Sequence, residues 1–204
     1  MKFRPWLRGH LLDWTMRQMN DLRPVALAAA RGEVLDVGFG TGLNLPFYPR
    51  GVTGVVGIEP NPVAGLRAVE ERIRAVRFPV EQHALRADGE IPFDSGRFDC
   101  VVTTWTLCSV PDPVRALLEL RRVLKPGGTY LFIEHGRAQA DGLARWQDRL
   151  NPAWRRLAGG CNMNRSIDAI VEHGGFQIER IERFRHKGPA LLSHMYRGSA
   201  ASSL

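Results

Sequence analysis

Apolar positions near the start of the chain recur every three or four residues. Leu7, Leu11, Trp14, Met16, Met19 and Leu22 set this period, so residues 6–30 predict helix, divided in two at Pro24. The texture then changes. Residues 33–38 form a short apolar run closed by glycine, as in a strand buried on both faces. Residues 52–58 predict a second strand and residues 63–77 a helix, introduced by Asn61-Pro62 as cap and first turn. Residues 80–85 and 98–103 predict the third and fourth strands. A helix over 113–124 should stop at Lys125-Pro-Gly-Gly128, ahead of a fifth strand at 129–133.

Strands alternating with helices imply right-handed crossovers and a parallel sheet covered on both faces. Residues 137–165 break the alternation with Trp146, Trp154, Pro and Gly interruptions and many arginines, and predict a helical insertion after the fifth strand. A further helix at 166–173 ends at Gly174-Gly175, and residues 176–184 and 191–196 predict a closing hairpin on the sheet edge. The expectation is one α/β domain of 204 residues. It divides into N-terminal helices (1–30) that form a lid, a ligand-binding core (31–136), a helical substrate-side insertion (137–165), and a C-terminal helix with hairpin (166–204).

Composition narrows the class. An apolar share of 44% with 24% charged residues is that of a globular protein. No apolar run is long enough to span a bilayer, and residues 1–20 lack the clean apolar stretch of a secretory signal. Cys100, Cys108 and Cys161 are odd in number and form no Cys-x-x-Cys pair, which argues against a disulfide framework or zinc knuckle and for a reducing, cytoplasmic setting. His10, His83, His173, His186 and His194 show no metal-ligand spacing, so no metal is expected. The net charge of +7 comes from arginines scattered over predicted helices, and no aromatic-plus-basic cluster points to nucleic acid. Lys2, Arg4, Arg8 and Arg17 interleave with Phe3, Trp6, Leu7, Leu11 and Trp14, a pattern that suits either a lid or peripheral contact with an anionic membrane.

The chemistry is concentrated in Asp36-Val-Gly38-Phe-Gly40-Thr-Gly42, which follows the first strand. Glycines there permit a tight turn and close backbone approach to a ligand, with the backbone amides beyond them facing it. The spacing is G-x-G-x-G rather than the dinucleotide G-x-G-x-x-G, and Asp36 suits a cation, such as the ammonium of a methionyl group, better than a pyrophosphate. Glu59 stands 21 residues after Gly38 at the end of the second strand, where a carboxylate can take both hydroxyls of a ribose.

Together with Ile91-Pro-Phe-Asp-Ser-Gly-Arg-Phe-Asp99 and Leu124-Lys-Pro-Gly-Gly128, these residues resemble the class I S-adenosylmethionine-dependent methyltransferases. The resemblance implies a Rossmann-like seven-stranded sheet with one antiparallel strand, S-adenosylmethionine as cofactor, ribose binding by Glu59, and adenine binding near Asp88, although the usual acid of that loop falls near Gly89. Thr41, Asn44, Pro60, Thr104 and Trp105 flank these motifs and are assigned to the same cofactor site.

A finer resemblance, to the methyltransferase-like 7 family with its thiol S-methyltransferases, rests on Thr104-Trp-Thr-Leu-Cys-Ser-Val110, Ile133-Glu-His135, Asn151-Pro-Ala-Trp154 and Gly160-Cys-Asn162 with Arg165. The animal members carry an N-terminal hydrophobic anchor that this sequence does not display, so membrane attachment is not implied. Bacterial phospholipid N-methyltransferases share the first half of the pattern.

A small thiol or sulfide is the acceptor this resemblance implies, and phosphatidylethanolamine is the alternative. A nucleic-acid methyltransferase and a non-catalytic cofactor-binding module are less favoured. His135, beyond the fifth strand, either takes a proton from the acceptor or holds its own loop by a hydrogen bond. Methyl transfer needs no enzyme nucleophile, so Cys108 is expected to be a small buried residue, whereas Cys161 in the insertion faces the substrate pocket. Trp14, Trp146, Trp154, Asn162 and Arg165 complete that expected pocket, with Trp105 as a further wall.

Overall fold

A computed structural model describes residues 5–61 and 67–202 of the chain, and the side chains of residues 9–11 and 13 onward within the first of these. Seven strands form one sheet: β1 (Gly32–Val37), β2 (Val52–Ile58), β3 (Val80–His83), β4 (Phe98–Thr104), β5 (Leu124–His135), β6 (Phe176–Arg185) and β7 (His194–Ser202). Their spatial order is β3-β2-β1-β4-β5-β7-β6. All the strand pairs from β3 through β5 are parallel, and β7 runs antiparallel to both of its neighbours. This is the seven-stranded arrangement with one antiparallel strand.

Alternation along the strands divides the core into two layers. Leu35 and Val37 of β1 pack with Leu117 and Leu120 of α4 (Pro113–Val123) and with Ile167 and Val171 of α6 (Ile167–His173). Val34 faces the opposite layer with Leu45, Tyr48 and Val69, the last from α3 (Arg67–Ala75). Helix α4 buries Ala116, Leu117, Leu120 and Val123, one stripe at helical spacing. Its start is set by Asp112, whose carboxylate accepts the Arg115 N–H at 3.0 Å, and by Pro113 in the first turn.

Several boundaries differ from expectation. The N-terminal helical stretch is two helices, α1 (Pro5–Arg17) and the single turn α2 (Arg23–Ala26), but the break falls at residues 18–22 and Pro24 lies in the first turn of α2. Of the predicted helix 63–77, residues 63–66 lie outside the described residues, as does Pro62, and α3 covers the rest to Ala75. Strand β5 begins at Leu124, which pairs with Phe98, and the Lys-Pro-Gly-Gly segment is an irregularity within the strand rather than a break before it. The last strand is His194–Ser202, not 191–196, and residues 190–192 form a 3₁₀ turn. Its second half, Gly-Ser-Ala-Ala, carries too little apolar bulk to read as a strand. It is held because β7 lies inside the sheet between β5 and β6, where small residues let both neighbours approach: a Cβ on Gly198 would fall 2.6 Å from the Phe132 ring. The insertion is one long helix, α5 (Asp141–Leu157), which continues through Pro152.

Candidate active site

Strand order reverses between β1 and β4, leaving a crevice beyond their carboxyl ends, where open α/β sheets bind ligands. The loop leaving β1 turns at Gly38, Gly40 and Gly42, with φ of 76°, 55° and 73°. L side chains resist this left-handed backbone. A Cβ on Gly38 would also meet Thr106 Oγ1, in the loop after β4, at 2.1 Å. The cradle is therefore bare backbone, shaped jointly by two strand ends.

Beneath the cradle lies a closed polar network. Asp36 shares the face of Val34, towards Tyr48, and has no exposed surface. Asn44 Nδ2 donates to its two oxygens at 3.0 and 3.1 Å and lies 3.1 Å from Thr104 Oγ1, while the Tyr48 hydroxyl donates to Asp36 at 2.9 Å. Arg23 donates to Asn44 Oδ1 and covers the Trp105 ring at 4.8 Å. Burial pushes the Asp36 carboxyl up to about 6, against the pull of Asn44, Tyr48 and Arg23. Both Asp36 oxygens are thus engaged inside the fold. The sequence expectation aimed them at the ligand; here the face on which Asp36 lies turns them inward.

Glu59 follows β2 and is half-buried, with Pro60 exposed beside it. Its backbone N–H donates to His83 O at 3.1 Å and its Oε1 accepts the Asn61 N–H at 3.2 Å. Asp88 pairs with Arg86 at 2.9 Å; burial pushes its carboxyl up, but the Arg86 bonds prevail and hold it below the usual range.

A second cluster lies at the end of β5. His135 is 5% exposed; its Nδ1 lies 3.4 Å from Cys161 Sγ, and its Nε2 finds no hydrogen-bond partner among the described residues. Glu134, fully buried, accepts the backbone N–H groups of Thr106 at 3.1 Å and Cys108 at 3.3 Å, and burial pushes it up to about 7. Asn162 donates to Cys108 O through its backbone N–H at 2.8 Å and through Nδ2 at 2.9 Å. Arg165 donates to the carbonyls of Leu107 and Val110. The Trp154 indole N–H is buried and finds no hydrogen-bond partner among the described residues. The scattered patches 104–110, 133–135, 151–154 and 160–165 therefore form one spatial unit.

Two expected pocket residues lie elsewhere. Trp14 is 66% exposed and Trp146 53%. On α1, Asp13 faces inward, so its neighbour, turned by about 100°, faces out. On α5 the inward positions are Ala144 and Gln147, and Trp146 carries Arg149 against its ring at 5.5 Å.

Asp13 is the principal omission of the sequence reading. It accepts from Thr41 Oγ1 at 2.7 Å and from Arg72 at 2.7 and 3.1 Å, and Arg72 donates in turn to Thr41 O at 2.7 Å. This latch ties α1 and α3 to the glycine loop. Its only signal in the sequence is that Asp13 is the single acid among residues 1–20. Arg23 and Tyr48 were missed as well, and nothing in their spacing marks them.

These residues fit S-adenosylmethionine. The glycine cradle offers backbone without side chains, Glu59 offers a carboxylate at the ribose position of Rossmann folds, and Trp105 offers a ring face beside the crevice. Trp105 holds φ of 53°, unusual for a bulky residue and therefore a conformation the surrounding structure imposes. Among the described residues, no group of three or more His, Cys, Asp or Glu side chains could hold a metal ion.

Comparison with known proteins agrees with this geometry. Residues 35–132 match the methyltransferase domain model. The human thiol S-methyltransferase TMT1A is 33% identical over 168 residues, covering 81% of this chain and 68% of the relative. The phosphatidylethanolamine N-methyltransferase of Cereibacter sphaeroides is 30% identical over 182 residues, covering 87% and 83%. Among solved structures, a SAM-dependent methyltransferase from Aquifex aeolicus superimposes with a TM-score of 0.65 at 19% identity, covering 98% of each chain.

Proposed function

From the premise that this chain belongs to the class I S-adenosylmethionine-dependent methyltransferases, we propose that it methylates the sulfur of a small thiol or sulfide. The observation that carries this reading is His135: a buried imidazole at the end of β5, engaged at Nδ1 and, among the described residues, without a partner at Nε2. The 33% identity to a human thiol S-methyltransferase supports it. When bound, the cofactor supplies a methyl group activated on a sulfonium.

The chain's own residues do the rest. Gly38, Gly40 and Gly42 admit the cofactor's methionyl end, and Thr41 and Asn44 hold the loop in shape. Glu59, with Pro60 beside it, takes the ribose hydroxyls. Asp88 borders the adenine, Thr104 ties β4 to Asn44, and Trp105, packed beside Ile133 under Arg23, backs the loop leaving β4. Trp154 and Cys161 wall the acceptor side, while Asn162 and Arg165 fix the 107–110 loop that borders it. A thiol of pKa near 8.5 is only a few per cent ionised at neutral pH, and the thiolate is the reactive form. His135 Nε2 takes that proton, and its loss costs on the order of 100-fold at neutral pH.

The test is a panel of thiols, sulfides, amines and phosphatidylethanolamine vesicles, followed by release of S-adenosylhomocysteine from pH 6 to 9. We expect turnover with thiols or sulfides. In His135→Ala the rate should climb steeply towards pH ~8.5, with the unassisted ionisation of the acceptor, while the unaltered enzyme keeps activity near neutrality. Turnover with amines or phosphatidylethanolamine and with no sulfur acceptor would overturn the reading.

That rival outcome has its own supporting observation. Leu11 and Trp14 on α1, and Trp146, Leu150 and Leu157 on α5, are exposed large apolar side chains set among arginines. Such faces suit an anionic bilayer surface. Among the described residues, no helix is long and apolar enough to cross a membrane.

A further inference from the structure

We propose that Cys161 is a reactive thiolate that hydroperoxides oxidise, and that Cys108 is its resolving partner in an intramolecular disulfide. The proposal is independent of which acceptor the enzyme methylates. It rests on four side chains that three separate parts of the chain bring together. Cys161 lies just after α5, next to Gly160, and is partly exposed, so a small oxidant can reach it. Cys108 is 2% exposed and lies behind it. The two are held in register by Asn162, the residue after Cys161, which bonds Cys108 O at 2.8 Å through its backbone and at 2.9 Å through its side chain. The third member is His135, with Nδ1 3.4 Å from Cys161 Sγ. The fourth is Trp154, whose buried indole N–H finds no hydrogen-bond partner among the described residues.

The two thiols are unequal, and the inequality has the sense that a peroxide-reactive pair needs. Cys161 is held well below the ordinary thiol range, first by the Cys108 thiol turned towards it and then by His135 and Trp154, against the opposing effect of burial. Cys108 is pushed up by that same contact, by burial and by the buried Glu134. Arg165, half-buried nearby, holds the loop that carries Cys108 by donating to the carbonyls of Leu107 and Val110. A partly exposed low-pKa thiol beside a buried protonated one divides the roles of attacking and resolving cysteine.

The chemistry balances without any bound group. The Cys161 thiolate attacks one oxygen of the hydroperoxide. An S–O bond forms, the O–O bond breaks, and water or an alcohol leaves with a proton, giving a sulfenic acid. The Cys108 sulfur then attacks Cys161 Sγ. An S–S bond forms, the S–O bond breaks, and hydroxide leaves as water with the Cys108 proton. The oxidant is the hydroperoxide, reduced by two electrons, and a small thiol in excess reverses the disulfide by exchange.

The test uses the full chain and reads thiols rather than methyl transfer. Iodoacetamide labelling at pH 5.5 and pH 8, located by peptide mass spectrometry, should modify Cys161 at both values with less than about a tenfold difference in rate. An ordinary thiol falls roughly 200-fold over that interval. Stoichiometric hydrogen peroxide should join the Cys108 and Cys161 peptides. Cys108→Ser should instead trap a dimedone-reactive sulfenic acid at Cys161, and His135→Gln should slow labelling at pH 5.5 more than at pH 8. Two results would overturn the proposal: Cys161 labelled at pH 5.5 no faster than Cys100, or peroxide-treated protein lacking the Cys108–Cys161 cross-link. Loss of thiol methylation in the acceptor panel would leave both readouts unaffected, so the two proposals fail separately.

Discussion

Asp36 and Glu59 are both acids of the cofactor motif, but one is closed inside the fold and the other is open. Asp36 is enclosed by Asn44 and Tyr48, whereas Glu59 keeps exposed surface at the end of β2. Their substitutions should therefore separate. Glu59→Ala should weaken S-adenosylmethionine binding by about 1.5–3 kcal/mol, the scale of a hydrogen bond to a charged group, while leaving the melting temperature unchanged. Titration calorimetry set beside a thermal melt would show this, and equal loss in both would contradict it. Tyr48→Phe should do the reverse. Removing a donor from a buried carboxylate costs about 1.5–3 kcal/mol of stability, and cofactor affinity should change less than fold stability. The stability loss is readable in urea as a shift of the unfolding midpoint without a change of slope.

Helix α1 reaches the cofactor loop through Asp13. Asp13 and Arg72 form an ion pair at 2.7 Å with side chains only 9% and 12% exposed, and Thr41 hydrogen-bonds to the same carboxylate. Breaking such a buried pair costs on the order of 3 kcal/mol, because the remaining guanidinium is left without its counter-charge. Asp13→Ala should accordingly lower stability and cofactor affinity together, and amide exchange should rise in both α1 and the loop 38–44. Exchange that rises in α1 alone would mean that the latch does not reach the site. Strand β5 joins its elements in a comparable way. Glu134 and His135 are consecutive, yet Glu134 turns back to hold the backbone of 106–108 while His135 meets Cys161. Alternation along a strand sends neighbours to opposite faces, so one dipeptide serves two loops.

Across the molecule, two fully buried carboxylates give the stability curve its shape. Asp36 is raised to about 6 and Glu134 to about 7, in both cases first by burial. Both folded values lie above the unfolded ones near 4, so the native state holds more protons than the unfolded state between those limits. The stability each contributes is fully present below pH ~4 and is lost as pH rises through ~6 for Asp36 and ~7 for Glu134. Each amounts to roughly 3 kcal/mol, as an order of magnitude. Cys161, held well below its unfolded range, contributes the opposite slope over the same interval, so the melting temperature should fall between pH 5 and pH 6, where the two carboxylates outweigh it. Asp36→Asn should flatten that decline, because Glu134 and Cys161 then offset one another. A melting temperature that rises steadily from pH 5 to pH 6 would contradict this assignment.

The succession of strands and helices, and the parallel sheet it implies, were legible along the chain because each element rests on a local period; the spatial order of the strands was not. Residues 33–38, 52–58 and 98–103 are apolar runs bounded by turn residues, and the strands at Gly32–Val37, Val52–Ile58 and Phe98–Thr104 differ from them by a residue at most. The glycine motif was legible for the same reason, since a left-handed turn must be written in glycine where it occurs. Strand β7 was not legible beyond Tyr196, because its small residues take their conformation from two flanking strands rather than from their own pattern. The direction of Asp36, the outward turn of Trp14 and Trp146, and the latch at Asp13 each depend on which face of an element meets which neighbour. The meeting of Cys108, His135 and Cys161 is the clearest instance. The patches that carry them could be recognised one by one, but their separation of 26 residues or more along the chain is closed only when β5 and the segment after α5 fold back onto the loop leaving β4.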